Sequence, residues 1–275
     1  MKKNNIIKKL LLCILIIIIF FCIFIFSYDY FLFRKIKRVN ITIDDSFGYL
    51  YQLNEKKYNS IFEYENFKYL KELHDKFDSK FTLFVFFEYD SKYLSDCTSY
   101  YKKEFEDNSD WLNFGFHSYS PNSNYSLKNT NIIEEYNKTI NALKKIVGEK
   151  SITKVIRLEK YMLSESNLKL LNLDKKNIEG LLSAETKNRK NYYLNDYQND
   201  VLFKNDYYYD YNNNIEIYKT DFRLENSNYF FDNNQIGKDD FLVIFTHEGQ
   251  LNRRMMKMKL YFLCFKLKNK HFIIL

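Results

Sequence analysis

Four apolar runs in this sequence each end on a side chain that is able to take part in catalysis. Asp44 and Asp45 follow the first run, and His117, Arg157 and His247 follow the other three. Carboxylates and imidazoles can bind a divalent metal or transfer protons, and a guanidinium can orient a carboxylate. Such groups suit the hydrolysis of an ester or amide, in which a water molecule is activated and a leaving group is protonated.

Apolar runs and amphipathic stretches alternate along the chain, which predicts an α/β fold with a parallel sheet or barrel. Strands are predicted at residues 39–43, 81–87, 114–117, 155–158, 180–183, 215–219 and 241–245. Helices are predicted at residues 58–77, 99–111, 131–147, 164–171 and 254–267, whereas residues 187–214 have no firm periodicity. Such folds place their active sites at the carboxyl ends of the strands, so the four chemical groups are expected to converge.

The two adjacent aspartates are expected to do different jobs. Side chains alternate along a regular strand, so Asp44 and Asp45 can share a site only where the backbone turns at the strand end. One metal ligand and one base is a sensible division between them. The alternative is that both simply cap a turn or a helix, which aspartate also favours.

An apolar segment near the amino terminus predicts a membrane anchor. Residues 10–26 form an unbroken apolar run of 17, close to the length that crosses a bilayer. Lysines precede the run and no small-residue cleavage pattern follows it, which indicates an uncleaved signal anchor. We therefore expect residues 1–38 to hold a cytosolic tail, the transmembrane helix and a basic linker, and residues 39–275 to form one extracytoplasmic domain.

The charge of the chain is concentrated beside this predicted anchor. The formal net charge is +7, but residues 1–38 hold eight Lys or Arg and a single acid, Asp29. Residues 39–275 therefore carry equal numbers of basic and acidic side chains. A neutral domain gives no indication of nucleic-acid binding. Outside the apolar run only Cys97 and Cys264 remain, too far apart in sequence for a zinc-type cysteine pair.

In their order and spacing, the strand ends resemble the motifs of the polysaccharide deacetylase family, also called the NodB-homology carbohydrate esterases. The first segment, Ile-Thr-Ile-Asp-Asp-Ser at residues 41–46, resembles the paired-aspartate motif. Residues 116–118, Phe-His-Ser, resemble the start of its H-[ST]-x-x-H pattern. Residues 156–158, 220–221 and 245–247 resemble the arginine, aspartate and late histidine motifs. The resemblance runs from about Val39 to the carboxyl terminus.

This resemblance implies a distorted (β/α) barrel of the NodB-homology type that binds a divalent metal, expected to be zinc. It also implies that acetyl groups are removed from a cell-surface or extracellular carbohydrate polymer. The roles it implies are general base for Asp44, metal ligand for Asp45 and His117, orientation of the base for Arg157, general acid for His247, and orientation of that acid for Asp221.

The sequence departs from the family pattern at the second metal histidine. Pro121 stands four residues after His117, where that histidine is expected. The arginine motif also continues Leu-Glu-Lys-Tyr at residues 158–161, without the proline common in the family. Water could complete the metal site, or a side chain could replace the histidine. The candidate side chains are Asn124, Glu159, Glu185 and Asp221.

Two other functions fit the same residues. One is a carbohydrate-binding or scaffold protein on this fold, with a degraded metal site and no hydrolysis. The other is a metal-free glycoside hydrolase that uses two carboxylates, Asp44 with Glu185 or Asp221, on either side of a groove. A side chain that replaces the missing histidine in space would favour the hydrolase that binds a metal.

Overall fold

Four apolar strands form the centre of the molecule. A computed structural model describes residues 10–21, 37–127, 131–172, 178–205, 207–226 and 241–275. In it, β1 (Arg38–Asp44), β2 (Phe81–Phe86), β5 (Leu112–Ser118) and β11 (Phe241–His247) are parallel, in the order β11-β1-β2-β5. Nearly all of their residues are buried, as expected for a parallel sheet whose faces are both covered.

Helices and short strands connect and surround these four strands. The helices are α1 (Phe47–Lys56), α2 (Glu65–Phe77), α3 (Lys102–Asp107), α4 (Ile132–Val147), α5 (Glu165–Asn172), α6 (Asp196–Lys204) and α7 (Arg254–Leu267). The remaining strands are β3 (Glu88–Tyr89), β4 (Lys92–Tyr93), β6 (Val155–Ile156), β7 (Gly180–Leu182), β8 (Tyr207–Asp210), β9 (Ile215–Tyr218), β10 (Phe222–Arg223) and β12 (His271–Phe272).

A second sheet closes the first into a distorted barrel. Its strands lie in the order β6-β7-β9-β8, with β8 as the antiparallel edge. On one side, the amide of Thr153 donates to the carbonyl of Phe114, which joins the β6 segment to β5. On the other side, β9 continues through residues 219–221 into β10, which pairs with β11. The predicted α/β fold with a parallel sheet is therefore confirmed.

The strand register brings the predicted catalytic groups to one end of the barrel. Asp44, the last residue of β1, is the register partner of His247, the last residue of β11. His117 lies at the end of β5, and Arg157 directly follows β6. The carboxyl ends of these parallel strands therefore meet, as the sequence predicts.

Four parts of the predicted secondary structure differ from the observed one. The helix predicted at residues 58–77 begins only at Glu65, as α2. Helix α1 was not predicted, and its amino-terminal amides are bound by a side chain 200 residues away, Glu248. The helix predicted at residues 99–111 is limited to α3, six residues long. Residues 187–214, which lack periodicity, include α6 and β8, and a capping box of Asn195 and Gln198 starts α6. In each case local pattern is a weaker determinant than tertiary contacts or caps.

The predicted anchor is only partly within the described residues. Residues 10–21 are helical and exposed, and residues 22–26 lie outside the described part of the chain. Among the described residues, none of the helices has the length and apolar character needed to span a bilayer. The anchor and the boundary at residue 38 therefore stay predictions.

Candidate active site

The end of β1 holds the two adjacent aspartates in different environments. Asp44 is 2% exposed and ends the regular strand, whereas the next residue, Asp45, has a left-handed backbone with φ of 61°. Aspartate adopts this conformation more readily than most residues. The turn frees the Asp45 side chain from strand alternation, so that both carboxylates can serve one site, as the sequence predicts.

Asp44 lies against the guanidinium of Arg157. The Nε atom of Arg157 is 3.4 Å from Oδ1 of Asp44, and both side chains are buried. Arg157 is held from other sides by the carbonyl of Ser183, which accepts from Nη1 at 3.3 Å, and by the ring of Phe245. Burial raises the pKa of Asp44, although the Arg157 charge opposes this shift. Asp44 is thus a proton acceptor of increased basicity beside a fixed cation.

His117 presents one ring nitrogen to the two neighbouring carboxylates. Its Nδ1 lies 2.6 Å from the carbonyl oxygen of Arg157, so Nδ1 carries the proton and donates it there. Its Nε2 lies 3.2 Å from Oδ1 of Asp45 and 3.3 Å from Oε2 of Glu159. Neither contact has hydrogen-bond geometry, so Nε2 is a buried polar atom without a hydrogen-bond partner in the described chain. A nitrogen in this state is suited to metal coordination.

Glu159 completes a group of three side chains that could hold a metal ion. One potential ligand atom each from Asp45, His117 and Glu159 lies within 4.8 Å of the others. The Glu159 amide donates to the hydroxyl of Ser118 at 3.1 Å, which ties Glu159 to the end of β5. The next residue, Lys160, has a left-handed backbone that turns the chain. Glu159 is thus the one of the four substitutes suggested by the sequence that joins Asp45 and His117 in this group.

The electrostatics of this group fit a bound cation. Burial alone would lower the pKa of His117, but the carboxylates of Asp45 and Glu159 outweigh it and raise the pKa to about 10. In return, contact with His117 outweighs burial and holds the pKa of Asp45 below its usual value. Two carboxylates thus stabilise a positive charge at this point. Two carboxylates with one imidazole form a donor set that binds zinc and similar divalent ions.

The other three substitutes suggested by the sequence have different contacts. Asn124 binds the amide and hydroxyl of Ser126 at 2.9 and 2.7 Å. Glu185 forms ion pairs with Arg223 at 3.6 Å and with Arg189 at 3.7 Å. Of the acidic substitutes Glu159, Glu185 and Asp221, only Glu159 belongs to the group of described side chains that could hold a metal ion.

His247 is held by Glu225, a residue that the sequence analysis did not identify. The imidazole Nδ1 lies 2.7 Å from Oε1 of Glu225, and the His247 amide donates to the same oxygen at 2.8 Å. Burial lowers the pKa of His247, but Glu225 and Asp44 outweigh this effect and raise it. Glu225 therefore fixes the orientation of the ring and favours its protonated form.

Asp221, the residue expected to orient His247, lies further back along the sheet. Its carboxylate accepts from the amide of Val243 at 2.7 Å and contacts Lys219 at 3.2 Å. Its own amide donates to the carbonyl of Val243, four residues before His247, and this corresponds to about 13 Å along a strand. The contact with Nδ1 of His247 is made by Glu225 where the sequence analysis expected Asp221.

If the pairing of β10 with β11 had been known, counting residues along the two strands would have identified Glu225 as the neighbour of His247. Phe222 and Arg223 pair with Ile244 and Phe245, so two further residues bring Glu225 level with His247. The sequence alone offers two acids in this segment and no indication of which one is in register. Pairing between β10 and β11 makes that choice.

Glu248 connects the His247 strand to the loop that holds the aspartates. Its Oε2 accepts from the Gly48 amide at 2.8 Å, at the start of α1. A Cβ atom at position 48 would overlap this carboxylate, so the close approach needs glycine. Burial raises the pKa of Glu248 to about 8. The hydrogen bond from Gly48 to Glu248 thus links the start of α1, just after the turn at Asp45, to the end of β11.

Comparison with known proteins shows that the fold of this chain is similar to several solved structures. No family model and no curated protein matches the sequence. The structure is similar to the Xyl-CE4 domain of a multidomain xylanase from the hindgut metagenome of Trinervitermes trinervoides, at 13% identity and a TM-score of 0.46. That match covers 86% of this chain and 87% of the other.

Two further similar structures are those of an esterase and a deacetylase. A family 4 acetyl xylan esterase from Clostridium thermocellum, in complex with a cobalt ion, has 15% identity and a TM-score of 0.47, covering 86% of this chain and 87% of that one. A peptidoglycan N-acetylglucosamine deacetylase has 16% identity and a TM-score of 0.46, covering 86% and 85%. These proteins belong to the family whose motifs the sequence resembles.

Proposed function

We propose that this protein is a metal-dependent hydrolase that removes acetyl groups from a carbohydrate polymer. The observation that carries the proposal is the group formed by Asp45, His117 and Glu159, beside the buried carboxylate of Asp44. The ordered motifs of the sequence, which resemble those of the polysaccharide deacetylases, support the substrate class.

Asp45, His117 and Glu159 would hold the metal. A divalent cation bound there would polarise the acetyl carbonyl and increase the acidity of a water molecule. The orphaned Nε2 of His117 is the nitrogen available to it, since Nδ1 is engaged by the carbonyl of Arg157. Zinc is the ion we propose, because the set of one imidazole and two carboxylates suits it.

Asp44 and His247 would carry out the proton transfers. Asp44 accepts a proton from the attacking water, and its buried position makes it more basic than an exposed aspartate. Arg157 holds this carboxylate in place. His247 donates a proton to the leaving group, and because Glu225 binds Nδ1, the donating atom is Nε2. This division of roles is supported by the register of β1 with β11, in which Asp44 and His247 are partners on adjacent strands.

We also propose that the domain of residues 39–275 acts outside the cell, attached to the membrane by residues 10–26. The length and apolar character of that run and the lysines before it support this placement. A cell-surface or extracellular polysaccharide is then the accessible substrate.

The test is metal content and acetate release, measured on the same detergent-purified full-length chain. We expect about one equivalent of zinc per chain, and release of acetate from an acetylated oligosaccharide such as acetylated xylan or a chitin oligomer. Asp45→Ala and His117→Ala should lose both metal and activity. Asp44→Asn should keep the metal and lose activity by about 100-fold or more, because only the proton acceptor is removed.

The outcomes separate the alternatives. A folded parent chain that binds no added divalent ion would exclude the metal-dependent mechanism. A chain that binds zinc and the glycans but releases no acetate would instead be a carbohydrate-binding protein on this fold. Cleavage of glycosidic bonds without metal would support the glycoside hydrolase alternative.

A further inference from the structure

Helix α7 has an apolar stripe on its solvent side in addition to its buried face. Its core-facing residues are Met256, Leu260, Leu263, Cys264 and Leu267. Met255, Met258, Phe262 and Phe265 are 67%, 44%, 42% and 36% exposed. Their spacing of three, four and three residues places them along one line of a helix, on the side away from the core. A solvent-facing line of a helix usually carries polar residues.

The segment that carries this stripe is basic, although Lys257 within it pairs with the exposed Glu65 of α2. Residues 251–275 contain seven Lys or Arg and no Asp or Glu. Exposed cations stand at both ends of the stripe, with Arg253 and Arg254 at its start and Lys268 at its end. The Lys268 ammonium lies 4.9 Å from the centre of the Phe265 ring, so charge and apolar surface are contiguous. An apolar line with cations at its borders is typical of a helix that lies in a lipid interface.

We propose that this stripe, formed by Met255, Met258, Phe262 and Phe265, rests on a lipid bilayer with anionic headgroups. The apolar side chains enter the boundary between headgroups and acyl chains, and the cations bind the headgroup phosphates. A second copy of the chain fits this surface less well. A symmetric contact would bring two basic segments together without an acid in either to compensate.

The position of α7 determines how the barrel would lie. The helix begins a few residues after the carboxyl end of β11, and it leads into β12, which pairs with the amino end of β1 at Arg38 and Val39. It therefore runs along the outside of the barrel, antiparallel to these strands, over about 21 Å. With α7 in the plane of the bilayer, the barrel axis lies along the membrane. The candidate active site then opens sideways, towards material close to the lipid surface.

The start of the domain is compatible with this arrangement. Residues 27–37 separate the proposed anchor from β1 and can span at most about 40 Å. Residues 271–272, which follow α7, pair with the first residues of β1. The end of α7 is thus held beside the point where the chain arrives from the proposed anchor. The lipid contact of α7 does not depend on hydrolase activity and can be tested separately from it.

The test is fluorescence quenching by lipid in the full-length chain. The sequence has a single tryptophan, Trp111, which is 2% exposed and gives a constant background. Phe262→Trp introduces an indole on the stripe. Tyr211→Trp introduces one in the turn between β8 and β9, where the tyrosine is 87% exposed, as a matched control. Each chain is reconstituted in vesicles of phosphatidylcholine with brominated acyl chains, with or without phosphatidylglycerol.

We expect the bromolipids to quench the indole of Phe262→Trp and not that of Tyr211→Trp. Quenching should increase when phosphatidylglycerol is included, and this increase should be lost when Arg253, Arg254 and Lys268 are all changed to Glu. Equal quenching in the two single variants would overturn the proposal. A blue shift of the Phe262→Trp emission without quenching would also overturn it, because protein and not lipid would then cover the stripe. Acetate release, assayed in parallel, reports on the proposed hydrolase separately.

Discussion

The carboxylate of Glu159 lies 3.3 Å from Nε2 of His117, and the Asp45 carboxylate lies 3.2 Å from the same atom. Glu159 thereby supplies a third potential metal ligand in a chain that has Pro121, and not a histidine, four residues after His117. Glu159 comes from a different strand end, after β6, in the segment of residues 158–161 that lacks the proline common in the related arginine motif. The group that could hold a metal ion thus offers one imidazole and two carboxylates.

Glu159→Gln should weaken zinc binding by about 100-fold or more, because it removes the charge of a side chain proposed to bind the metal directly, and losing even a partner that only supports a ligand costs about 10- to 100-fold. The matched control is Glu185→Gln. Glu185 was an equally acceptable substitute by sequence, but it lies in ion pairs with Arg223 and Arg189. Competition against a chromogenic chelator measures both affinities. Equal loss of affinity in the two variants would show that Glu159 has no specific role as a ligand.

Arg157→Met should destabilise the fold by about 3–5 kcal/mol, because it leaves the buried carboxylate of Asp44 without its cation. The free energy of unfolding is obtained from urea titration followed by circular dichroism. Lys103→Met is the control, since its ion pair with Asp107 is exposed and worth at most about 1 kcal/mol. If Arg157→Met destabilised the fold by no more than about 1 kcal/mol, as expected for the control, Asp44 would be neutral in the folded protein.

Glu225→Gln should change the pH dependence of hydrolysis. Glu225 raises the pKa of His247, so removing its charge lowers that pKa. A general acid must be protonated to act, and the alkaline limb of the kcat/KM profile should therefore move to lower pH. Asp221→Asn should leave the limb in place, since its carboxylate contacts Val243 and Lys219. If the limb moved in Asp221→Asn and stayed in place in Glu225→Gln, Asp221 would be the residue that orients His247.

Glu248→Gln should remove part of the pH dependence of stability. Burial raises the pKa of Glu248 from an ordinary value of 4.5 to about 8 in the folded protein. Between these two values the folded state binds a proton that the unfolded state has released, so stability falls as the pH rises. The loss is at most about 1.4 kcal/mol per pH unit. Unfolding titrations at several pH values between 4.5 and 8 should show a shallower slope in the variant than in the parent. Parallel slopes would show that Glu248 is ionised in the fold.

The local pattern of apolar and polar residues was sufficient to predict the helices and strands in which that pattern is regular. Helix α7 has the predicted bounds, α4 differs from prediction by one residue at its start, and β1 differs by one residue at each end. Helix α1 escaped prediction because the group that binds its first amides, Glu248, is remote in sequence. A short helix with few local determinants depends on such a contact for its stability.

The sequence by itself determined which chemical groups the chain contains and where along it they occur. It also determined that these groups follow parallel strands, because the apolar runs before them alternate with amphipathic stretches. On that basis Asp44, Asp45, His117, Arg157 and His247 could be named as one set. Only the tertiary structure decided which acids join them. Glu159 and Glu225 are brought to His117 and His247 by packing across neighbouring strands. Contacts between residues 22 and 42 positions apart depend on strand order and register, and a single sequence does not specify these.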